Sequence, residues 1–173
     1  MKKLLFALGA VMALTLCASR ADAKIVAVYA TGQGGVQNTG NTDPGIGFEL
    51  GARLLILDGY VDYMSFGGGE SVSRAILGLR GGLGAKNFRL VLRGGLGGIR
   101  EQNGALTHPL SGPDRTGAVA RAGVDLEGRI NPLFWLGFGV DGESYVFPNN
   151  SQGFVTTGSD VFASLKLIFE LGI

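Results

Sequence analysis

The sequence predicts an all-β protein: an eight-stranded antiparallel up-and-down transmembrane β-barrel, preceded by a cleaved signal peptide. Three observations predict it. In segments 46–57, 73–83, 88–100, 115–130 and 134–145, every second residue is mostly apolar, and those between are mostly Gly, Arg, Asp or Glu. That period of two marks a strand with one dry and one wet face. Tight turns alternate with longer connections between the strands. The dry face is also too bulky to fit inside a small barrel, while the wet face is rich in glycine.

Composition narrows the class further. Glycine supplies 31 of 173 residues, well above the usual ~7%, without a collagen-like repeat. Charged residues make up 17% and leave a formal net charge of +1. That balance excludes the strongly basic surface expected of a nucleic-acid-binding protein.

The first 23 residues read as the signal peptide and residues 24–173 as the barrel. Lys2 and Lys3 precede an apolar run over 4–16, too short for the ~20 residues of a spanning helix. Ala21, Asp22 and Ala23 then form a small-x-small cleavage site before Lys24. Lipidation at Cys17 competes with this reading, but Leu16 occupies the position where a lipoprotein signal carries a small residue. Cleavage removes Lys2, Lys3, Arg20 and Asp22, so the chain's 15 bases and 14 acids become 12 and 13. It also removes the only cysteine, leaving neither a disulfide nor a thiol nucleophile.

Strands are expected at 24–31, 45–57, 60–66, 73–84, 87–100, 115–130, 133–147 and 158–173. Connections 33–44, 101–114 and 148–157 are long and 67–72 is intermediate. An even strand count places both termini on the short-turn side, which is periplasmic in an outer-membrane barrel. Asp58-Gly59 is a strong two-residue hairpin signal that pairs Ile56 with Val61 and Leu54 with Tyr63. A turn at Ala85-Lys86 pairs Leu83 with Phe88, and sets Arg89 across from Gly82 and Arg93 across from Gly78. A three-residue turn at Asn131-Pro132-Leu133 brings Ile130 to Phe134, Leu126 to Phe138 and Arg121 to Glu143. All three registers match dry face with dry face. Consecutive strands also echo each other, LGLRGGLG over 77–84 and LVLRGGLG over 90–97.

The charge inventory decides which face is outside. The wet set contains Glu49, Arg53, Asp62, Arg80, Arg89, Arg93, Arg121, Asp125, Glu127, Asp141, Glu143, Lys166 and Glu170. Turning Arg or Lys to lipid at the midplane costs ~2–4 kcal/mol each. An eight-stranded bore is only just wide enough for its own side chains, so the large dry residues belong outside. Phe88, Phe134, Trp135, Tyr60 and Tyr63 lie by the tight turns, and Tyr145, Phe147 and Phe154 by the loops, where interfacial aromatic belts are expected.

A signal peptide, eight alternating strands, short turns and long loops together resemble the small eight-stranded outer-membrane barrels of the outer-membrane protein A and X type. The resemblance covers residues 24–173 and rests on pattern. It implies an integral protein of the bacterial outer membrane, with lipid and lipopolysaccharide around it. It also implies that periplasmic chaperones and the barrel-assembly machinery handle the chain during biogenesis. Leu167, Phe169, Leu171 and Ile173 match the alternating terminal strand that this machinery reads, although Ile173 departs from the usual terminal aromatic.

Candidate chemistry is sparse. His108, the only histidine, has Ser111 and Asp114 nearby, but Pro109 and Pro113 mark a surface loop that frames a catalytic triad poorly. Asp125/Glu127 and Asp141/Glu143 are spaced for acid–base work, yet arginines of the same face stand ready to neutralise them. Neither His nor Cys accompanies these acids to suggest a metal site. The Gly-rich stretches lack the GK[ST] of a phosphate loop. The expectation is a monomeric, non-enzymatic barrel with a structural or surface-interaction role. Arginine–carboxylate pairs plug its lumen, and no cofactor or nucleic acid is expected. A narrow pore and a lipid-modifying enzyme are the alternatives.

Overall fold

The computed structural model describes residues 25–38, 42–103, 114–148 and 155–172. The expected signal peptide with Cys17, Ala21, Ala23 and Lys24, the loop residues His108 and Ser111, the aromatic Phe154 and the terminal Ile173 lie outside the described residues.

Eight strands are described: β1 (Val26–Asn38), β2 (Thr42–Leu54), β3 (Leu57–Phe66), β4 (Ser71–Ala85), β5 (Phe88–Gln102), β6 (Arg115–Arg129), β7 (Phe134–Pro148) and β8 (Val155–Gly172). Each pairs antiparallel with its sequence neighbours, and β8 pairs with β1 to close the barrel. Closure leaves no sheet edge and lets the backbone satisfy itself, the condition for strands to cross a bilayer. Hydrogen-bonded partners can be followed round the barrel from Leu54 through Leu57, Leu79, Gly94, Ala122, Gly142, Val161 and Asn38. The path returns to β2 at Thr42, twelve residues from its start. At the usual rise and spacing, that stagger over eight strands implies a strand tilt of roughly 45°. The shortest strand has 10 residues and the longest 18, so each reaches the ~9–11 residues that a tilted spanning strand needs.

Burial alternates along the strands in the sense opposite to a soluble barrel. Ile46, Phe48, Leu50, Leu77, Leu79, Leu96, Phe138, Leu165 and Leu167 point outward and are 49–73% exposed. Among the outward strand positions of the described residues one charged residue occurs, Arg100, at the loop end, where it pairs with Asp114 at 2.8 Å. The Arg100 guanidinium holds the Asp114 carboxyl below its usual range.

Two hairpins close at places other than the expected ones. The chain reverses at Leu55-Ile56, and Asp58 and Gly59 continue into β3. Val61 therefore meets Leu50, and Tyr63 meets Phe48. Leu55 takes a left-handed conformation at φ 56, which costs roughly 1–2 kcal/mol for a residue with a Cβ. The compensation lies in the bore, where the Tyr29 hydroxyl donates to Asp58 at 3.0 Å. A buried hydrogen bond and a full β2–β3 ladder outweigh a local Asp-Gly preference.

The second turn falls at Lys86-Asn87 instead of Ala85-Lys86. Leu83 accordingly faces Leu90, Arg89 faces Gly84, and Arg93 faces Arg80. Both displacements preserve parity, so the expected outward leucines stay outward and the expected inward charges stay inward. The third turn has the expected register, with Leu126 opposite Phe138 and Arg121 opposite Glu143. The Asn131 side chain accepts from the Leu133 and Phe134 amides and fixes it.

The expected long loop over 33–44 is largely strand, with only residues 39–41 left between β1 and β2. Its polar composition reflects a wet inner face rather than a solvated loop. Gln33 donates to the Met64 sulfur at 3.2 Å, and Gln37 donates to Asp160. The last strand likewise begins at Val155 rather than at 158. The aromatic belts also need correction. Tyr60, Trp135, Tyr145 and Phe147 are buried inside the barrel, because they fall on the inward parity of their strands. Phe88 does face outward.

Candidate functional site

The bore carries the chemistry of this molecule. Of the charges assigned to it from sequence, Glu49, Asp62, Arg80, Arg93, Arg121, Asp125, Glu127, Asp141, Glu143, Lys166 and Glu170 are buried. Arg53 and Arg89 retain 13% and 12% side-chain exposure at the tight-turn end.

These charges fall into two clusters. Nearer the tight turns, Glu170 on β8 joins Arg53 on β2 at 3.3 Å and Arg89 on β5 at 2.7 Å. Arg89 continues to Glu127 on β6 at 2.5 Å, and Glu127 is also held by Arg80 on β4 at 3.0 Å. The Arg89 guanidinium lies 4.0 Å from the centre of the Trp135 ring, and that of Arg80 lies 4.8 Å from Tyr29. Such stacking adds cation–π attraction to the ion pairs.

The second cluster is centred on Asp141 of β7. Arg93 reaches it at 2.7 Å and Arg121 at 3.1 Å, with Lys166 at 3.5 Å. Arg93 also crosses to Glu49 on β2 at 2.9 Å, and Lys166 holds Asp125 at 2.5 Å. Arg121 pairs with Asp62 on β3, and Arg74 bridges Asp62 at 3.1 Å to Glu143 at 2.6 Å. Several of these pairs join strands three positions apart in the eight-membered ring, so they brace opposite walls.

Register alone does not select the partners. Arg121 stands directly opposite Glu143, yet it reaches Asp62 and Asp141, and Glu143 goes to Arg74. Arg74, Asp58, Tyr29 and Asp160 belong to the interior although they were not assigned to it from sequence. Arg74 and Asp58 share the parity of assigned neighbours, Arg80 and Asp62, and that signal could have found them. The acid pairs Asp125/Glu127 and Asp141/Glu143 each have basic partners, so they act as counter-ions.

Above the second cluster, at the loop end, large apolar side chains join the interior beside the buried polar Gln37, Glu101 and Asp160. Met64, Phe66, Val72, Ile99, Val119, Phe147 and Phe162 are buried there. Removing paired charges from water costs several kcal/mol per ion, which only dense hydrogen bonding and Coulomb attraction offset. Glycines make that density attainable. A Cβ at Gly139 would fall within 2.7 Å of the Lys166 ammonium, and one at Gly51 or Gly158 would enter the rings of Tyr29 or Tyr145. Both tyrosines are cross-strand partners of the glycines they cover.

On β8, Leu167 and Leu171 face outward, and Phe169 packs on Phe134 with ring centres 5.2 Å apart. At the tight-turn rim, Lys86, Asn87, Phe88, Arg129, Ile130 and Pro132 line an open groove of ≈ 580 Å³.

No protein-family model matches the chain, and no curated protein matches it in sequence. Solved structures share its fold, two natural barrels among them. Neisserial surface protein A aligns with a TM-score of 0.57 at 12% identity, covering 83% of this chain and 96% of that one. The N-terminal β-barrel domain of OprF from Pseudomonas aeruginosa aligns with a TM-score of 0.59 at 15% identity, covering 84% and 97%. The fold is that of the small eight-stranded outer-membrane barrels.

Proposed function

We propose that this chain is an integral protein of the bacterial outer membrane whose role is structural or surface-interactive. Both termini are periplasmic, lipid and lipopolysaccharide surround it, and the chain remains a monomer. Periplasmic chaperones and the barrel-assembly machinery bring it to the membrane. One observation carries the reading: among the described residues the outward strand positions hold a single charge, Arg100 at the loop end, while the two ion-pair clusters lie inside. In water that arrangement would expose a belt of Leu, Ile and Phe. In a bilayer the belt meets lipid, while the charges stay paired with one another inside.

The lumen is plugged and the protein performs no catalysis. Cross-bore pairs such as Arg93–Glu49 and Arg89–Glu170, with the buried Met64, Phe66, Phe147 and Phe162 above them, support closure. The purified protein in planar bilayers should give no regular unitary currents; robust single-channel steps would establish a pore instead. Cell fractionation should place the protein with outer-membrane material, and recovery in the soluble periplasm would overturn the reading. His108→Ala should leave lipid A composition unchanged by mass spectrometry; a lost modification would make the protein an enzyme.

A further inference from the structure

The tips of the described hairpins at the tight-turn end differ in chemistry. Lys86-Asn87 closes β4–β5, and Asn131-Pro132 lies at the tip of β6–β7. The tip of β2–β3 instead reads Leu54-Leu55-Ile56-Leu57, with exposures of 52%, 61%, 38% and 53%. Ile25 and Val26 of the adjoining chain start add 60% and 42%, and the Leu55 amide donates to the Ile25 carbonyl at 2.8 Å. Leu54 and Leu57 belong to the outward face, so the apolar belt continues over this tip without a break.

The tip is also recessed. Its last ladder rung sets Leu57 opposite Leu79, whereas β4 continues to Ala85 before turning. Allowing for the stagger between neighbouring strands, the β2–β3 tip stops about three residue rises, roughly 7 Å, short of Lys86-Asn87 along the barrel axis. Shortness and apolarity coincide at one hairpin.

We infer that the β2–β3 tip ends inside the hydrocarbon of the surrounding lipid layer, with acyl chains as its partner, while the β4–β5 tip projects into the headgroups and water. This rests on the membrane reading above and assigns a depth to one hairpin. It also gives a reason for Leu at a left-handed turn position. A Gly or Asn would relieve the backbone there, but neither would fill a lipid-facing site.

Spin labels measure the depth. In the full chain carrying Cys17→Ser, single cysteines are placed at Leu55, Asn87 and the mid-belt Leu165. Each variant is labelled with a nitroxide and folded into dimyristoylphosphatidylcholine vesicles. The labels at Leu55 and Leu165 should collide more with oxygen than with a water-soluble nickel chelate, and the label at Asn87 should show the reverse. If the Leu55 label favours the chelate as strongly as Asn87 while Leu165 stays in lipid, the depth assignment is wrong. If the Leu55 label is immobilised and shielded from both agents, the tip docks against protein, and the assignment is equally wrong. If Leu165 itself favours the chelate, the membrane reading fails. Ile56→Cys repeats the measurement should Leu55→Cys fail to fold, as judged by heat-dependent gel mobility.

Discussion

Arg80 and Arg93 are direct cross-strand partners on β4 and β5, yet they serve different clusters. Arg80 turns to Glu127 and Arg93 to Glu49 and Asp141. Like charges directly opposite are destabilising when nothing separates them; here each guanidinium is drawn toward its own carboxylates. The pair marks the boundary between the two ion-pair clusters. It is also where the echoed LRGG segments of the two strands meet.

Removing Arg93 should therefore take away the basic partner of Glu49 and leave Asp125 and Asp141 to Lys166 and Arg121. Arg93→Gln is expected to lose about 3–5 kcal/mol, read from urea unfolding of the protein in lipid vesicles. The double change Arg93→Met with Glu49→Met should recover part of that loss, because the desolvation of both groups disappears together. If the two substitutions were simply additive, the pair would not be coupled.

Glycines beneath aromatic rings should be intolerant of a methyl group. Gly51→Ala forces its Cβ into the Tyr29 ring and should cost about 1–3 kcal/mol through overpacking. Gly142→Ala meets open space and should leave the unfolding midpoint unchanged or slightly raised. Equal midpoints for the two variants would contradict the ring packing.

The two faces should respond oppositely to charge and bulk. Leu79→Arg places a cation outward and should cost about 2–4 kcal/mol where the site is near the membrane midplane, with a visible defect in heat-resistant folding on gels. Gly82→Ala adds a Cβ with only ordinary contacts at 3.9 Å and should assemble normally. Impaired assembly of Gly82→Ala alone would reverse the assignment of faces.

Asp58 discriminates between the expected and observed β2–β3 registers. As a turn residue it would tolerate alanine with little effect. As the acceptor of the Tyr29 hydroxyl, its loss by Asp58→Ala should destabilise by about 1–3 kcal/mol. Tyr29→Phe on the Asp58→Ala background should then cost little more. A neutral Asp58→Ala in the unfolding assay would favour the Asp-Gly turn.

The sequence by itself determined that the chain forms strands, which residues share a face, and that charge lies inside. These are local matters: side chains alternate at every residue, and a parity error would expose Arg93, Arg121 and their neighbours to lipid all at once. Even the displaced hairpins at Leu55-Ile56 and Lys86-Asn87 kept the strand parity, although Tyr60, Trp135, Tyr145 and Phe147 of the expected aromatic belts lie inside. Where the hairpins turn, how far β1 and β2 extend, and which base meets which acid were decided only by the tertiary structure. Turn propensities amount to less than the ladder and bore contacts they compete with, so Asp58 was drawn inward to Tyr29. Ion pairs such as Arg93–Glu49 and Arg74–Glu143 join walls brought opposite each other by closure with a twelve-residue stagger. That stagger is a sum over all eight strand pairings, so no single hairpin in the sequence could reveal it.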